Sequence, residues 1–357
     1  MNQKAATPAL DPPATPSNGG VATAAPAIER STMSAVVQDS YGSPDVLVLR
    51  EVARPAVATS EVLVRVRAAG VNIADWAITA GLPFIARPVY GLRTPKNPIR
   101  GTDVAGVVDA VGAAVTRFNP GDRVFGWCKE LGGAFAEFAS VPEAALQPIP
   151  AAMTFEQAAA APMAGCVALK AVRDVGSVEP GQRVLVNGAS GGIGTFAVQI
   201  AKGLGAHVTG VCSAKNANLV RSLGADEVID YGEQDFTETG ERYDFILDNV
   251  ANHPLSRLTA VLTPTGTLVP NGGQFENHWF AGAGRVIRAR MSSRSGGRKL
   301  LTFVLSPKTA DLDGLRNLMQ TGTVTPAIDG TYPLANAAQA VARVGGGHAR
   351  GKVVVTM

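Results

Sequence analysis

The chain has 357 residues, 46% of them hydrophobic and 17% charged, a globular composition long enough for two domains with sizeable cores. Its formal net charge of +3 leaves no electrostatic footprint for nucleic acid or an anionic membrane surface, and no apolar run reaches the roughly 18 residues of a membrane span. Three scattered cysteines, Cys128, Cys166 and Cys212, do not make a disulfide framework and point to a reducing, cytoplasmic compartment.

Residues 1–32 are rich in Ala, Pro and Thr, have no apolar periodicity and show no signal-type apolar run after Lys4, so a disordered tail is expected there. Ordered structure is expected from Met33, in a strand at 34–37. Short strands follow at 46–49, 61–67, 104–111, 123–126 and 135–139, punctuated by turns such as Pro120-Gly121-Asp122. Val64 and Val66 alternate with Arg65 and Arg67, the period of a half-buried strand. Many short strands with such turns predict a barrel-like β domain.

The pattern changes at Thr154, where Thr154 and Gln157 have capping-box spacing ahead of the run 158–161. Strands at 184–186, 207–212, 227–230, 245–247 and 267–269 then alternate with helices at 195–204 and 217–223, the second closed by Gly224. This order predicts a parallel sheet with helices on both faces. A strand at 300–305, helices at 312–319 and 335–344, and a strand at 352–355 complete the chain. Between Arg285 and Lys299, Arg288, Arg290, Arg294 and Arg298 lie among Ser and Gly, which reads as a solvated loop or as an anion or partner contact.

The strongest motif is 184–194, Val-Leu-Val-Asn-Gly-Ala-Ser-Gly-Gly-Ile-Gly, with a strand before it and an amphipathic helix after it. Ser190, Gly191, Gly192, Ile193 and Gly194 form a turn whose backbone can approach a pyrophosphate, and the helix start offers N–H groups and a positive dipole end. Gly194 lets the helix lie close to the sheet. A site for NAD carries an acid roughly 20 residues on, to bond the ribose 2′-OH. Here Ser213, 19 residues past Gly194, and Lys215 stand there with no acid, which favours the 2′-phosphate of NADP(H).

With these features in place, the chain resembles the medium-chain dehydrogenase/reductase superfamily, and within it the zinc-independent quinone oxidoreductase branch. The likeness covers 34–357 and rests on ordered markers: Ala69-Gly70-Val71-Asn72 with Asp75 and Gly81, Gly101-Thr102-Asp103-Val104-Ala105-Gly106, Gly121-Asp122-Arg123-Val124, Ala160-Ala161-Pro162-Met163, the glycine loop, Leu223-Gly224-Ala225-Asp226, and Gly351-Lys352-Val353. The resemblance implies an α/β protein: a GroES-like β-barrel catalytic domain plus a Rossmann doubly wound parallel-sheet domain. The expected layout is a tail at 1–32, the catalytic domain at 33–158 and 307–357, and the cofactor domain at 159–306. A homodimer built through the strand at 300–305 is a family expectation.

Zinc enzymes of the superfamily hold a catalytic metal with Cys, a Gly-His-Glu segment and a further Cys. Here those places read Asn72, Gly101-Thr102-Asp103 and, by alignment, Met163, so no metal site is expected. Cys166, close to the lost ligand position, reads as a small buried residue. The resemblance places Asn72 beside the nicotinamide as the candidate catalytic donor; the competing reading is an amide that bonds its own loop. It also places Asn249 and Val250 beside the nicotinamide ribose and ring, Tyr231 on the adenine side, and Val269, Pro270 and Asn271 as backbone contacts. Asp75 and His207 read as structural, Tyr41 and Tyr90 as packing or pocket residues, and His253 as one option for a proton donor.

The function expected is an NADPH-dependent, zinc-independent reductase that passes hydride to a quinone or α,β-unsaturated carbonyl, a small-molecule substrate. Two other readings stay open: a metal-dependent alcohol dehydrogenase with unusual ligands, and an NADPH-binding protein without turnover.

Overall fold

The computed structural model describes Met1 and residues 31–129, 132–271, 297–303 and 309–357. Residues 2–30 of the expected tail and 285–296 of the basic segment therefore lie outside the described residues, while Thr32, expected in the tail, already belongs to the first strand.

A two-stranded ribbon opens the ordered chain: β1 (Thr32–Gln38) pairs antiparallel with β2 (Leu47–Ala53). Val46, expected in the strand, ends a 3₁₀ turn over Pro44–Val46, where the proline ring favours a turn start. The hub of the first domain is β3 (Glu61–Val71). It pairs antiparallel with β4 (Asp103–Val111), with β6 (Phe138–Pro142) and with β15 (Lys352–Thr356). The strands β5 (Arg123–Trp127), β7 (Leu146–Pro148) and β14 (Ile328–Pro333) complete a seven-stranded sheet. Along β3, Val62, Val64 and Val66 are buried while Arg65 and Arg67 face solvent, as their alternation predicts.

The strand expected at 135–139 is displaced. Val36 N–H donates to the Phe135 carbonyl and Glu137 N–H to that of Ser34, while Val66 N–H donates to Glu137. The chain thus changes partner from β1 to β3 at Glu137, and regular pairing starts only at Phe138.

The second sheet has six parallel strands in the order β10 (Glu227–Asp230), β9 (His207–Cys212), β8 (Arg183–Asn187), β11 (Tyr243–Asp248), β12 (Leu262–Pro270), β13 (Lys299–Leu300). The order reverses at β8, so the crevice beyond its carboxyl end is the switch point where such sheets bind ligands. The strand expected at 300–305 is cut to Lys299–Leu300; 301–303 are irregular and 304–305 lie outside the described residues.

One apolar core runs beneath both sheets, joining Phe125 and Trp127 to Phe196, Phe245 and Leu247. The helix Phe155–Ala160 packs on β3 and β4, and the helix Pro162–Leu169 packs on the helix Gly192–Gly203. The helix Thr309–Gln320, assigned by sequence to the returning catalytic segment, sends Leu312, Leu315 and Met319 into this shared core. Gly165 allows that contact, since a Cβ there would stand 2.6 Å from Leu315 Cδ2.

Thr154 caps the first of these helices: its Oγ1 accepts Gln157 N–H at 3.2 Å, and Gln157 Oε1 accepts Thr154 N–H at 3.0 Å. Thr154→Ala removes one half of this reciprocal pair. It is expected to lower the unfolding free energy by about 1 kcal/mol, seen as an earlier urea midpoint with an unchanged slope.

Candidate active site

At the carboxyl end of β8 the chain turns at Gly188, whose φ of +78° lies in the left-handed region. Gly191 N–H donates to the Gly188 carbonyl at 3.1 Å, and the helix starts at Gly192, three residues before the expected Thr195. Gly192, Ile193 and Gly194 supply its first N–H groups, which have no intrahelical acceptor and point out of the helix start. A Cβ on Gly194 would stand 2.1 Å from the Gly188 carbonyl oxygen, so the loop closes only around glycine. Two contacts pin this cradle: Gly351 N–H donates to the Ser190 carbonyl at 2.8 Å, and Asn216 Nδ2 donates to Ser190 Oγ at 3.0 Å. These features fit the pyrophosphate of a dinucleotide.

Strand β9 leads to Ser213, half-buried at the start of a short 3₁₀ turn, and to exposed Lys215, which has no ion pair among the described residues. Tyr231 N–H donates to the Cys212 carbonyl at 3.1 Å, and its side chain stays exposed next to that turn. The nearest strand-end acid, Asp230, accepts Gly232 N–H at 3.0 Å.

Beyond β11, Asp248 accepts Asn187 Nδ2 at 2.8 Å and the N–H groups of Val250 and Ala251 at 3.3 and 3.1 Å. This turn presents Asn249 and the exposed Val250 at the crevice, Val250 facing Gly188. Asn249 Oδ1 accepts Asn271 Nδ2 at 2.8 Å, while Asn249 Nδ2 is buried without a partner among the described residues. Val269 is 1% exposed, so only its backbone can serve a cofactor. His253 packs edge-on against Phe236 with ring centroids 5.0 Å apart, and its Nε2 lies 3.7 Å from Asp235.

The fourth element is a buried polar network in the catalytic domain. The segment carrying the family markers Asn72, Asp75 and Gly81 folds into the helix Ile73–Ala80, with Asn72 at its start and Gly81 closing it at φ +68°. Asp75 Oδ2 accepts Asn72 N–H at 2.7 Å and Asp75 Oδ1 accepts the Thr102 hydroxyl at 3.1 Å. Asn72 Nδ2 donates to Asp103 Oδ2 at 3.0 Å, and Met163 N–H donates to both Asp103 oxygens at 3.2 Å. Lys352 Nζ donates to the Val71 carbonyl at 3.0 Å and to Asn72 Oδ1, and stands 4.0 Å from Asp103. Burial pushes the Asp103 carboxyl up to about 7, against the pull of the Lys352 ammonium and the Asn72 amide. Burial also lowers the Lys352 ammonium, with Asp103 and then Asp75 opposing it. Tyr41 stands outside this network, its hydroxyl donating to the Gly91 carbonyl at 2.6 Å.

The structure therefore gathers Asn72, the glycine loop and the β11 turn around one cleft, and adds Lys352, which the sequence offered only as a family marker. A lysine opening the apolar strand Val353-Val354-Val355 was the available signal. Among the described residues, no three His, Cys, Asp or Glu side chains come together as metal ligands, and all three cysteines are buried and unpaired.

Residues 58–151 match the alcohol dehydrogenase GroES-like domain model, and residues 223–355 match the zinc-binding dehydrogenase model. The chain is 34% identical over 334 residues to the chloroplast envelope quinone oxidoreductase homolog of Arabidopsis thaliana, covering 90% of this chain and 98% of that protein. It is 32% identical over 366 residues to the mitochondrial NAD(P)H oxidoreductase RTN4IP1 of Mus musculus, covering 92% and 90%. The solved structure of the quinone oxidoreductase from Coxiella burnetii superposes with a TM-score of 0.80 at 27% identity, covering 91% of this chain and 99% of that one. The chain belongs to the medium-chain dehydrogenase/reductase family, in its quinone oxidoreductase-like branch. It is an oxidoreductase whose GroES-like and Rossmann-type sheets are those of the family, and that fold and its NAD(P)H oxidoreductase relatives support a nicotinamide cofactor.

For this dehydrogenase/reductase the tightness of the loop is itself testable. Gly194→Ala is expected to reduce cofactor affinity at least about tenfold, a change of roughly 1.4 kcal/mol, because the backbone must open around the new methyl. Titration of cofactor fluorescence on the folded variant checks this.

Proposed function

We propose that the protein is an NADPH-dependent, zinc-independent reductase that transfers hydride to a quinone or an α,β-unsaturated carbonyl. The observation that carries the cofactor preference is the end of β9, where Ser213 and the unpaired Lys215 stand in place of a carboxylate. An acid there would repel a 2′-phosphate, whereas a hydroxyl and an ammonium can bond it. Tyr231 supports this reading by flanking the same turn.

When bound, the nicotinamide supplies the hydride. The rest of the chemistry falls to the chain. The cradle at 190–194 and the amides of Asn249 and Asn271 hold the cofactor in one pose. Asn72 offers its amide to the substrate oxygen: one N–H is spent on Asp103, and among the described residues no hydrogen bond takes up the other. A fixed donor of this kind stabilises charge as it gathers on an enolate or hydroquinone oxygen.

The donor set at the metal positions of the zinc relatives does not fit zinc. An amide, a hydroxyl and a thioether stand with one carboxylate, Asp103, which is engaged by Asn72 and Met163 N–H. Conjugated acceptors suit such a site because they delocalise the incoming charge themselves.

Screening NADPH consumption across naphthoquinones, enals and enones tests the activity. Binding of NADPH with no acceptor reduced would leave a cofactor-binding protein and end the reductase reading. Exhaustive EDTA dialysis is expected to leave turnover unchanged, with elemental analysis finding far less than one zinc per chain. The double variant Ser213→Ala/Lys215→Ala is expected to raise the NADPH Kd at least about tenfold, the loss of one or two charge-assisted hydrogen bonds. The NADH Kd should move by less than about threefold, since NADH lacks the phosphate; equal changes for both would remove the basis for NADPH preference.

A further inference from the structure

Lys352 is 3% exposed, and among the described lysines it alone is fully buried. Enclosing an ammonium is costly unless its protons are well bonded. Its closest partners are not a carboxylate but two oxygens, the Val71 carbonyl and Asn72 Oδ1, with Asp103 at 4.0 Å. Asp103 instead spends its oxygens on Asn72 Nδ2 and Met163 N–H. The Lys352 stem lies along the glycine loop, with Cδ 3.4 Å from where a Cβ on Gly192 would stand.

This arrangement sets the Asn72 amide in one orientation. An ammonium has only donors to give, so it requires the oxygen end, which leaves the nitrogen end to Asp103 Oδ2. Rotating the amide by half a turn would set oxygen against carboxylate and N–H against ammonium. The ammonium also polarises the group. A cation at Oδ1 draws electron density from nitrogen toward oxygen, which makes the second N–H a stronger donor. Asn72 and Asp103 also stand where the zinc relatives carry their metal segment, so a fixed internal cation sits among those positions.

We propose that Lys352 is a positioning residue whose ammonium locks and polarises the Asn72 amide, so that the remaining N–H meets the substrate oxygen on which negative charge develops. This rests on the reductase reading with Asn72 as donor. Lys352 acts through Asn72 and is not a phosphate anchor.

Two measurements on the full chain test it. With NADPH bound and saturating naphthoquinone, Lys352→Met is expected to slow single-turnover oxidation of NADPH by about 30-fold, below the full loss of an oxyanion donor. The NADPH Kd should stay within about threefold of the parent protein. A rate within threefold of the parent, or a tenfold weaker Kd with an unchanged saturated rate, overturns the proposal. The second readout needs no turnover: the Asn72 side-chain amide resonance, assigned by its loss in Asn72→Ser, should move upfield in Lys352→Met, and an unmoved resonance overturns it. Should the single variant fail to fold, Lys352→Met/Asp103→Asn removes both charges together and carries the same two measurements. If the parent reduces no acceptor, the reductase reading fails on its own, while the resonance still decides the role of Lys352.

Discussion

The closure of the chain's last strand onto the first sheet is the constraint from which the site follows. Antiparallel pairing of Val353 with Val71 and of Val354 with Gly70 brings residues some 280 positions apart into register. That register sets Lys352 over the turn at Asn72, and Gly351 N–H against the carbonyl of Ser190 in the cofactor loop. One short strand therefore ties the two halves of the cleft together. A slip by a single residue would turn the lysine to the opposite face of the sheet and set a valine against the Asn72 turn in its place.

Close backbone approach is the second constraint. Gly194 against Gly188, and Gly70 against the Ala159 carbonyl at 2.2 Å from a built Cβ, leave no room for side chains. The first approach shapes the anion cradle. The second seats the helix Phe155–Ala160 on β3, next to Asn72, so the crossover between the sheets is fixed beside the Asn72 turn. The polar network beneath it is expensive to bury, and it persists because nearly every charge in it is answered by a specific partner. Asp75 illustrates this: burial raises its carboxyl, and the Asn72 N–H and then Lys352 pull the other way.

Much of the parallel-sheet domain was legible in the letters. Strands buried on both faces read as apolar runs, and β9 and β10 have the limits expected of them. Thr154 and Gln157 announced their helix through local hydrogen bonds that depend on spacing alone. Other elements were not legible as expected. The helix Ile73–Ala80 is absent from the expected elements although Asn72, Asp75 and Gly81 are start and stop signals, since its short run lacks a clear apolar period. At 135–139 the sequence had the alternation of a strand, yet competition between β1 and β3 for the same backbone decided where pairing begins.

By itself the sequence determined the β-then-α/β order, the strand, glycine turn and helix at 184–203, and the lack of an acid after β9, because each is a matter of neighbours along the chain. Only the tertiary structure decided that Asn72 is held between an ammonium and a carboxylate, that His253 turns to Phe236 and Asp235, and that Val269 is core. The reason is physical: a side chain's charge environment is set by strand register and helix seating, which join residues hundreds of positions apart and leave no local mark in the sequence.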